Sequence, residues 1–277
     1  MRPDKTITIG ILGCGWLGLA IGKHLLELGY SVRGSTRSKS SFAPLQTAGI
    51  APYQVELHSE GTRGELDDFL EGIAILLIAV PPGIRRDPSK RFDLSIQKLS
   101  EELGGKNLKR LFFVSSTSVF GKTESGDTLV EVDEGSTPFP STASGTQLLA
   151  SEQTLLNLPH IPCTILRPGG LIGENRHPIN QLSGRSGLGG RKHPVNLIQQ
   201  LECARIIGLA LLNNWTDNTI HLVYPNTQTK EEYYSREAQN RGLALPKYSA
   251  ENDGLGVRVL PKVLLRKNYD FIYPIDS

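Results

Sequence analysis

Short, uniformly apolar runs alternate with amphipathic stretches through the first half of the chain. This pattern predicts strand–helix–strand units on a parallel sheet. Residues 6–12 read as a first strand, residues 16–28 as a helix closed by Gly29, and residues 30–36 as a second strand. A shorter helix leads to Gly49 and a third strand near residues 53–57. Residues 73–80 are apolar throughout, as a central strand covered on both faces requires, and Pro81-Pro82-Gly83 stops it. A helix over 88–103 precedes another buried strand at 108–115. After a polar loop come a helix over 143–157, a strand at 163–167 and the turn Pro168-Gly169-Gly170.

Beyond residue 170 the texture changes. Residues 174–194 are polar and glycine-rich and read as a long loop. Helices are expected at 197–212 and 230–241, a strand at 219–223, and short extended pieces at 255–260 and 268–272. The predicted fold class is α/β: a Rossmann-type doubly wound parallel sheet over residues 1–170, with a smaller substrate lobe over 171–277. That lobe is expected to be partly interleaved with the sheet and not to fold independently.

Composition narrows the function without naming it. The 277 residues can bury a substantial core, and 38% apolar with 21% charged residues describe an ordinary soluble protein. Thirty basic and 28 acidic side chains leave a net charge of +2, so no global field draws the chain to nucleic acid or to a membrane. The N-terminal residues lack the apolar core of a signal peptide, and no apolar run approaches the roughly 20 residues that span a bilayer. Cys14, Cys163 and Cys203 are far apart with no metal-ligand spacing. A cytoplasmic protein with no metal site is expected; the oligomeric state is left open.

Gly13-Cys14-Gly15-Trp16-Leu17-Gly18 falls between the first strand and its helix, where a dinucleotide fingerprint belongs. Gly13 permits the tight turn, Gly15 lets the backbone approach a diphosphate, and Gly18 lets the helix pack on the sheet. The helix N-terminus then offers N–H groups to the phosphates. Residues 28–55 contain no Asp or Glu to take the ribose hydroxyls of NAD, whereas Arg33, Arg37 and Lys39 are present. Ser35, Thr36 and Arg37 suit a 2′-phosphate, which favours NADP as cofactor over NAD. Val80, Pro81 and Pro82 are expected to border the adenine-side groove.

Further segments carry a resemblance. Leu111-Phe112-Phe113-Val114-Ser115-Ser116-Thr117-Ser118-Val119-Phe120-Gly121 resembles the strand and loop bearing the catalytic Ser/Thr of extended short-chain dehydrogenases/reductases. That family includes the NAD(P)-dependent sugar epimerases and dehydratases. Arg167-Pro168-Gly169-Gly170 is similar to its segment beside the nicotinamide, and Val195-Asn196-Leu197-Ile198-Gln199 to the stretch that opens its later helix. The resemblance implies Ser116 as a catalytic residue, with Ser115 and Pro168 flanking the cofactor. The glycine spacing departs from the family's commoner Gly-x-x-Gly-x-x-Gly, which marks an atypical member.

The family's Tyr-x-x-x-Lys pair is missing. Registered on Glu152, its two positions hold Ser144 and Leu148; residues 54–223 contain no tyrosine, and residues 123–191 contain no lysine. Serine without an activating partner is a poor acid/base, and leucine is none. Ser116 therefore either orients a substrate oxygen or satisfies backbone groups where the strand ends. Residues 175–201 have no acid but contain Arg176, His177, Arg191 and His193 as candidate substrate-binding residues, able to close over an anionic group. Either histidine could carry the missing proton, or the segment is a solvated loop. The leading expectation is an NADP(H)-binding oxidoreductase or epimerase-like enzyme for a small anionic carbonyl or hydroxyl compound, such as a nucleotide sugar. The alternative is a non-catalytic NADP-binding sensor or regulatory protein.

Overall fold

The apolar runs become one large sheet in the computed structural model, which describes residues 7–84, 87–121, 128–249 and 254–276. The chain begins β1 (Thr8–Leu12), α1 (Trp16–Glu27), β2 (Ser31–Thr36), α2 (Phe42–Thr47), β3 (Ala51–His58), β4 (Gly61–Gly64) and α3 (Leu66–Leu70). It continues with β5 (Ile73–Ile78), α4 (Phe92–Leu103), β6 (Arg110–Val114), β7 (Val130–Val132), α5 (Ala143–Leu156), β8 (Cys163–Pro168) and β9 (Gly170–Ile172). The last third comprises α6 (Ile179–Leu182), β10 (Leu197–Gln199), α7 (Gln200–Leu212), β11 (Thr219–Leu222), α8 (Lys230–Asn240), β12 (Val257–Val259) and α9 (Lys262–Arg266).

The sheet has eight strands in the order β11-β8-β6-β5-β1-β2-β3-β4. Its pairs are parallel except the edge hairpin of β3 with β4. Strand order reverses between β1 and β5, and such a switch point opens a crevice at the carboxyl ends of the strands. β1, β5 and β8 are nearly sealed because helices cover both faces. One apolar cluster lies under α3, α4 and α5, and a second under α1, α2, α7 and α9.

Local chemistry sets the helix that matters most. α1 ends in a Schellman turn: Gly29 takes φ 88°. Its N–H donates to Leu26 O, and Tyr30 N–H donates to Leu25 O. At its start, no side chain caps the N-terminus.

The segments after residue 170 join the first body at several places. β11 extends the sheet beside β8, β12 pairs with β7, and β10 pairs with β9. A third small cluster, including Ile172, Ile179, Leu197, Tyr233 and Ile275, belongs to this part alone. Residues 197–199 are strand β10, not the opening turn of the following helix, because Leu197 and Ile198 are drawn into pairing with β9. Residues 268–272 form no strand. Buried Glu202 instead accepts the N–H groups of Ile272 (2.8 Å) and Tyr273 (2.6 Å) and the hydroxyl of Tyr269. Among the described residues no helix is long and apolar enough to cross a membrane.

Candidate functional site

The glycine loop lies at the switch point, and its packing is close everywhere except where a ligand would sit. A β-carbon on Gly13 would come within 2.7 Å of Val80 Cγ2, and one on Gly18 within 2.6 Å of Gly13 O. A β-carbon on Gly15 would meet nothing within 4 Å. The amides of Trp16, Leu17 and Gly18 precede the first intrahelical bond, which runs from Leu19 N–H to Gly15 O at 2.8 Å. An open face, bare amides and a helix N-terminus fit the diphosphate of a dinucleotide. Ser35 serves this loop from below, its hydroxyl accepting Gly13 N–H at 3.0 Å while its carbonyl accepts Cys14 N–H at 2.7 Å. Cys14 is buried against Gly34, and burial pushes its thiol up to about 12. It is a packing residue.

The end of β2 places the ribose-side candidates. Thr36 Oγ1 donates to Ser38 O at 2.9 Å, and the Arg37 side chain is exposed. Ser38, the last residue of the 34–38 run, bonds Ser40, which sequence reasoning passed over, at 2.8 Å, and the pair puts two further hydroxyls in the same turn. Arg33 does not belong here: its guanidinium donates to Asp68 O, Phe69 O and Glu71 O, closing the end of α3. The acid brought to this corner is Glu65, which accepts Gln54 N–H at 2.7 Å and lies 3.9 Å from Lys39.

On the same end of the sheet, beyond β6 and β8, a cavity of about 430 Å³ opens. Its walls include Ser116, Phe120, Gly169, Gly170, His193, Asn196, Lys230 and Tyr234. Ser116 Oγ accepts Ser118 N–H at 3.1 Å, so its own proton is left to donate elsewhere. Ser116 thus accepts a backbone N–H just past the strand end and also lines the cavity. Asn196 fixes β12 as a wall, donating to Val257 O at 2.8 Å and accepting Val259 N–H at 2.9 Å. Lys230 and Tyr234 were not apparent from the sequence. The sole linear trace of them is their four-residue spacing on a helix, which by itself indicates nothing more than a shared face.

The remaining basic candidates disperse. Arg176 stacks on the Trp16 ring at 4.8 Å, over the first turn of α1 and outside the cavity. Gln200 clamps the same place, donating to Trp16 O at 2.7 Å. Arg191 pairs with Glu231 at 3.4 Å and does not line the cavity. His177 is enclosed: its Nδ1 accepts Ile179 N–H at 3.2 Å, so Nε2 carries the proton toward Tyr233 Oη at 3.0 Å. Burial, with Arg241 adding to it, pushes its pKa down to about 4, and the ring works as a neutral strut. Of the four, His193 alone faces the cavity.

Behind Ser116 lies a buried ionic network. Ser115 Oγ donates to Glu152 Oε1 at 2.5 Å, and Arg167 grips the same carboxylate through Nε (3.0 Å) and Nη2 (2.6 Å). The Arg167 guanidinium also covers the Phe120 ring at 5.4 Å. On α5, Leu148 is 3% exposed and packed in the core, and Ser144 does not line the cavity. That helix therefore brings no titratable group to the site from either position.

Comparisons with known proteins agree with this layout. The model of the NAD dependent epimerase/dehydratase family matches residues 9–187. Protein YeeZ of Escherichia coli (strain K12) is 27% identical over 271 residues, 96% of each chain. A solved protein of Methylobacillus flagellatus, assigned as an NAD-dependent epimerase/dehydratase, is 25% identical with a TM-score of 0.75, covering 97% of this chain and 94% of that one. The UDP-glucuronic acid 4-epimerase of Bacillus cereus, solved with UDP-glucuronic acid and NAD, has a TM-score of 0.77 at 18% identity, covering 97% and 95% of the two chains.

Proposed function

The chain belongs to the NAD dependent epimerase/dehydratase family, and from that premise we propose an NADP(H)-dependent oxidoreductase or epimerase-like enzyme acting on a small anionic carbonyl or hydroxyl compound. One observation carries the reading: a cavity lined by Ser116 and His193 lies on the same end of the sheet as the glycine loop. A nicotinamide cofactor bound there supplies hydride exchange at a substrate carbon. Ser116 donates a hydrogen bond to a substrate oxygen, and His193 exchanges the one proton that accompanies hydride transfer. Ser115 follows β6 and Pro168 ends β8, the two strands beside the cavity.

NADP is preferred because the turn after β2 offers Arg37 with the hydroxyls of Ser38 and Ser40, and residues 28–55 supply no carboxylate. A guanidinium pairs two-pronged with phosphate oxygens. Arg37→Ala should weaken NADPH binding by roughly tenfold or more while leaving NADH within about twofold. Fluorescence titration of both nucleotides measures this, and equal losses would overturn the preference.

A sensor reading has one observation in its favour, the Ser144 and Leu148 positions on α5. Single-turnover oxidation of bound NADPH against carbonyl compounds and nucleotide sugars separates the two. Turnover that collapses in His193→Asn supports the enzyme; complete inertness with intact NADPH binding supports the sensor.

A further inference from the structure

Trp16 opens α1, and three residues from beyond β9 converge on it. Gly173 lies against the edge of the indole, since a β-carbon there would come within 2.9 Å of Trp16 Cζ2. Gln200 Nε2 donates to Trp16 O at 2.7 Å. The Arg176 guanidinium lies over the indole, 4.8 Å from the ring centre. A tight hairpin fixes the point from which Arg176 starts. Gly173 N–H donates to Arg176 O at 2.9 Å, and Arg176 N–H donates to Gly173 O at 3.0 Å. One residue, Trp16, thus carries both a bare amide of the glycine loop and the ring on which the cation rests.

That cation has no counter-charge among the described residues. The Arg176 side chain is exposed and makes no hydrogen bond or ion pair with any of them, its one recorded partner being the indole. Glu174, two residues back in the same hairpin, does not pair with it. The first turn of α1 holds no acid, and no side chain caps it. A helix N-terminus carries about half a positive charge, so it favours carboxylates nearby and disfavours a guanidinium. Two positive groups gathered at one loop, with no acid between them, are reconciled by an anion that both can reach. Stacking on a ring suits this task, because the forked N–H donors of a guanidinium remain available to phosphate oxygens.

We propose that Arg176 is a cofactor-binding residue whose guanidinium pairs with the diphosphate of a nicotinamide dinucleotide seated on the amides of Trp16, Leu17 and Gly18. The inference rests on the dinucleotide seat of the reading above and adds to it a contact from the last part of the chain. Charge-assisted bonds from a guanidinium are stronger than those from neutral backbone amides, so this contact carries a large share of the grip. The cofactor is then held by two parts of the chain, α1 and the hairpin after β9. Arg37 and Arg176 divide the phosphates: the first takes the 2′-phosphate, the second the diphosphate that NAD and NADP share.

The test is calorimetric titration of wild type and Arg176 variants with NADPH, NADH and ADP-ribose, whose common part includes the diphosphate. Arg176→Met keeps an unbranched stem for the indole and removes the charge. It should weaken all three ligands alike, by roughly tenfold, and Arg176→Lys should recover about a third of that affinity. The unfolding midpoint in urea should not move, because the side chain is exposed. Should Arg176→Met lower that midpoint, Arg176→Gln reads the same loss of charge. Binding of all three ligands within about twofold of wild type overturns the assignment. A loss confined to NADPH would move Arg176 to the 2′-phosphate, and a loss that spares ADP-ribose would move it to the nicotinamide end; either result also overturns it. If wild type binds none of the three, the cofactor reading itself falls; wild-type binding that the variants leave intact sinks the Arg176 contact alone.

Discussion

Gly15 and Gly18 are three residues apart in one turn, yet alanine at each should fail differently. A methyl at Gly15 meets no protein atom, so the fold should stand while the group intrudes where a diphosphate would approach. Nucleotide binding should fall at least roughly tenfold with the melting temperature unchanged. A methyl at Gly18 strikes Gly13 O and Ile11 Cγ2, so stability should drop by about 2 kcal/mol in urea titration. The glycine triplet was legible in the sequence because its chemistry is local, a strand, a turn and a helix in succession. Ser35 was legible in place but not in role, since its bond to Gly13 N–H spans 22 residues. Lys230 and Tyr234 were not legible, because what brings them to Ser116 is the path of the chain.

At the scale of elements, β6, α5 and β8 are locked together by one carboxylate. Glu152 on α5 takes Ser115 after β6 and Arg167 within β8, all buried. Glu152→Gln leaves a buried guanidinium without its counter-charge, so unfolding free energy should fall by about 3 kcal/mol. Denaturant midpoints measure it; a loss below about 1 kcal/mol would remove the network from the account. The first-half elements were legible from periodicity, with ends shifted by a few residues. Elements near the edges were not. β4 and α3 were missed, since Gly61-Thr62-Arg63-Gly64 carries no apolar alternation and pairs only because it folds back on β3. The tail at 268–272 has strand composition but is captured by Glu202, whose carboxylate replaces a partner strand.

For the whole molecule, acid should be destabilising before the carboxylates titrate. His177 and His221 are buried and neutral, each with its pKa pushed down to about 4 by burial, from an ordinary 6.5. The unfolded chain therefore binds more protons between those values, and stability falls as pH drops from 6.5 toward 4. Glu134, pushed up by burial, opposes this at the acidic end. Melting temperature should decline from pH 6.5 to 5, with a shallower slope in His221→Asn; an unchanged slope would exclude His221 as a source.

The nucleotide crevice and the cavity draw on different parts of the chain. On the proposed reading the crevice would use stretches near residues 13–18 and 35–40, with Val80 against Gly13, whereas much of the cavity wall comes from 193–197, 230–234 and 256–259. If the proposed function holds, drift confined to α8 and β12 would retool which metabolite is grasped without touching the glycine loop. Two descendants sharing every glycine of the opening turn could thus part company in metabolism through changes on a single late helix.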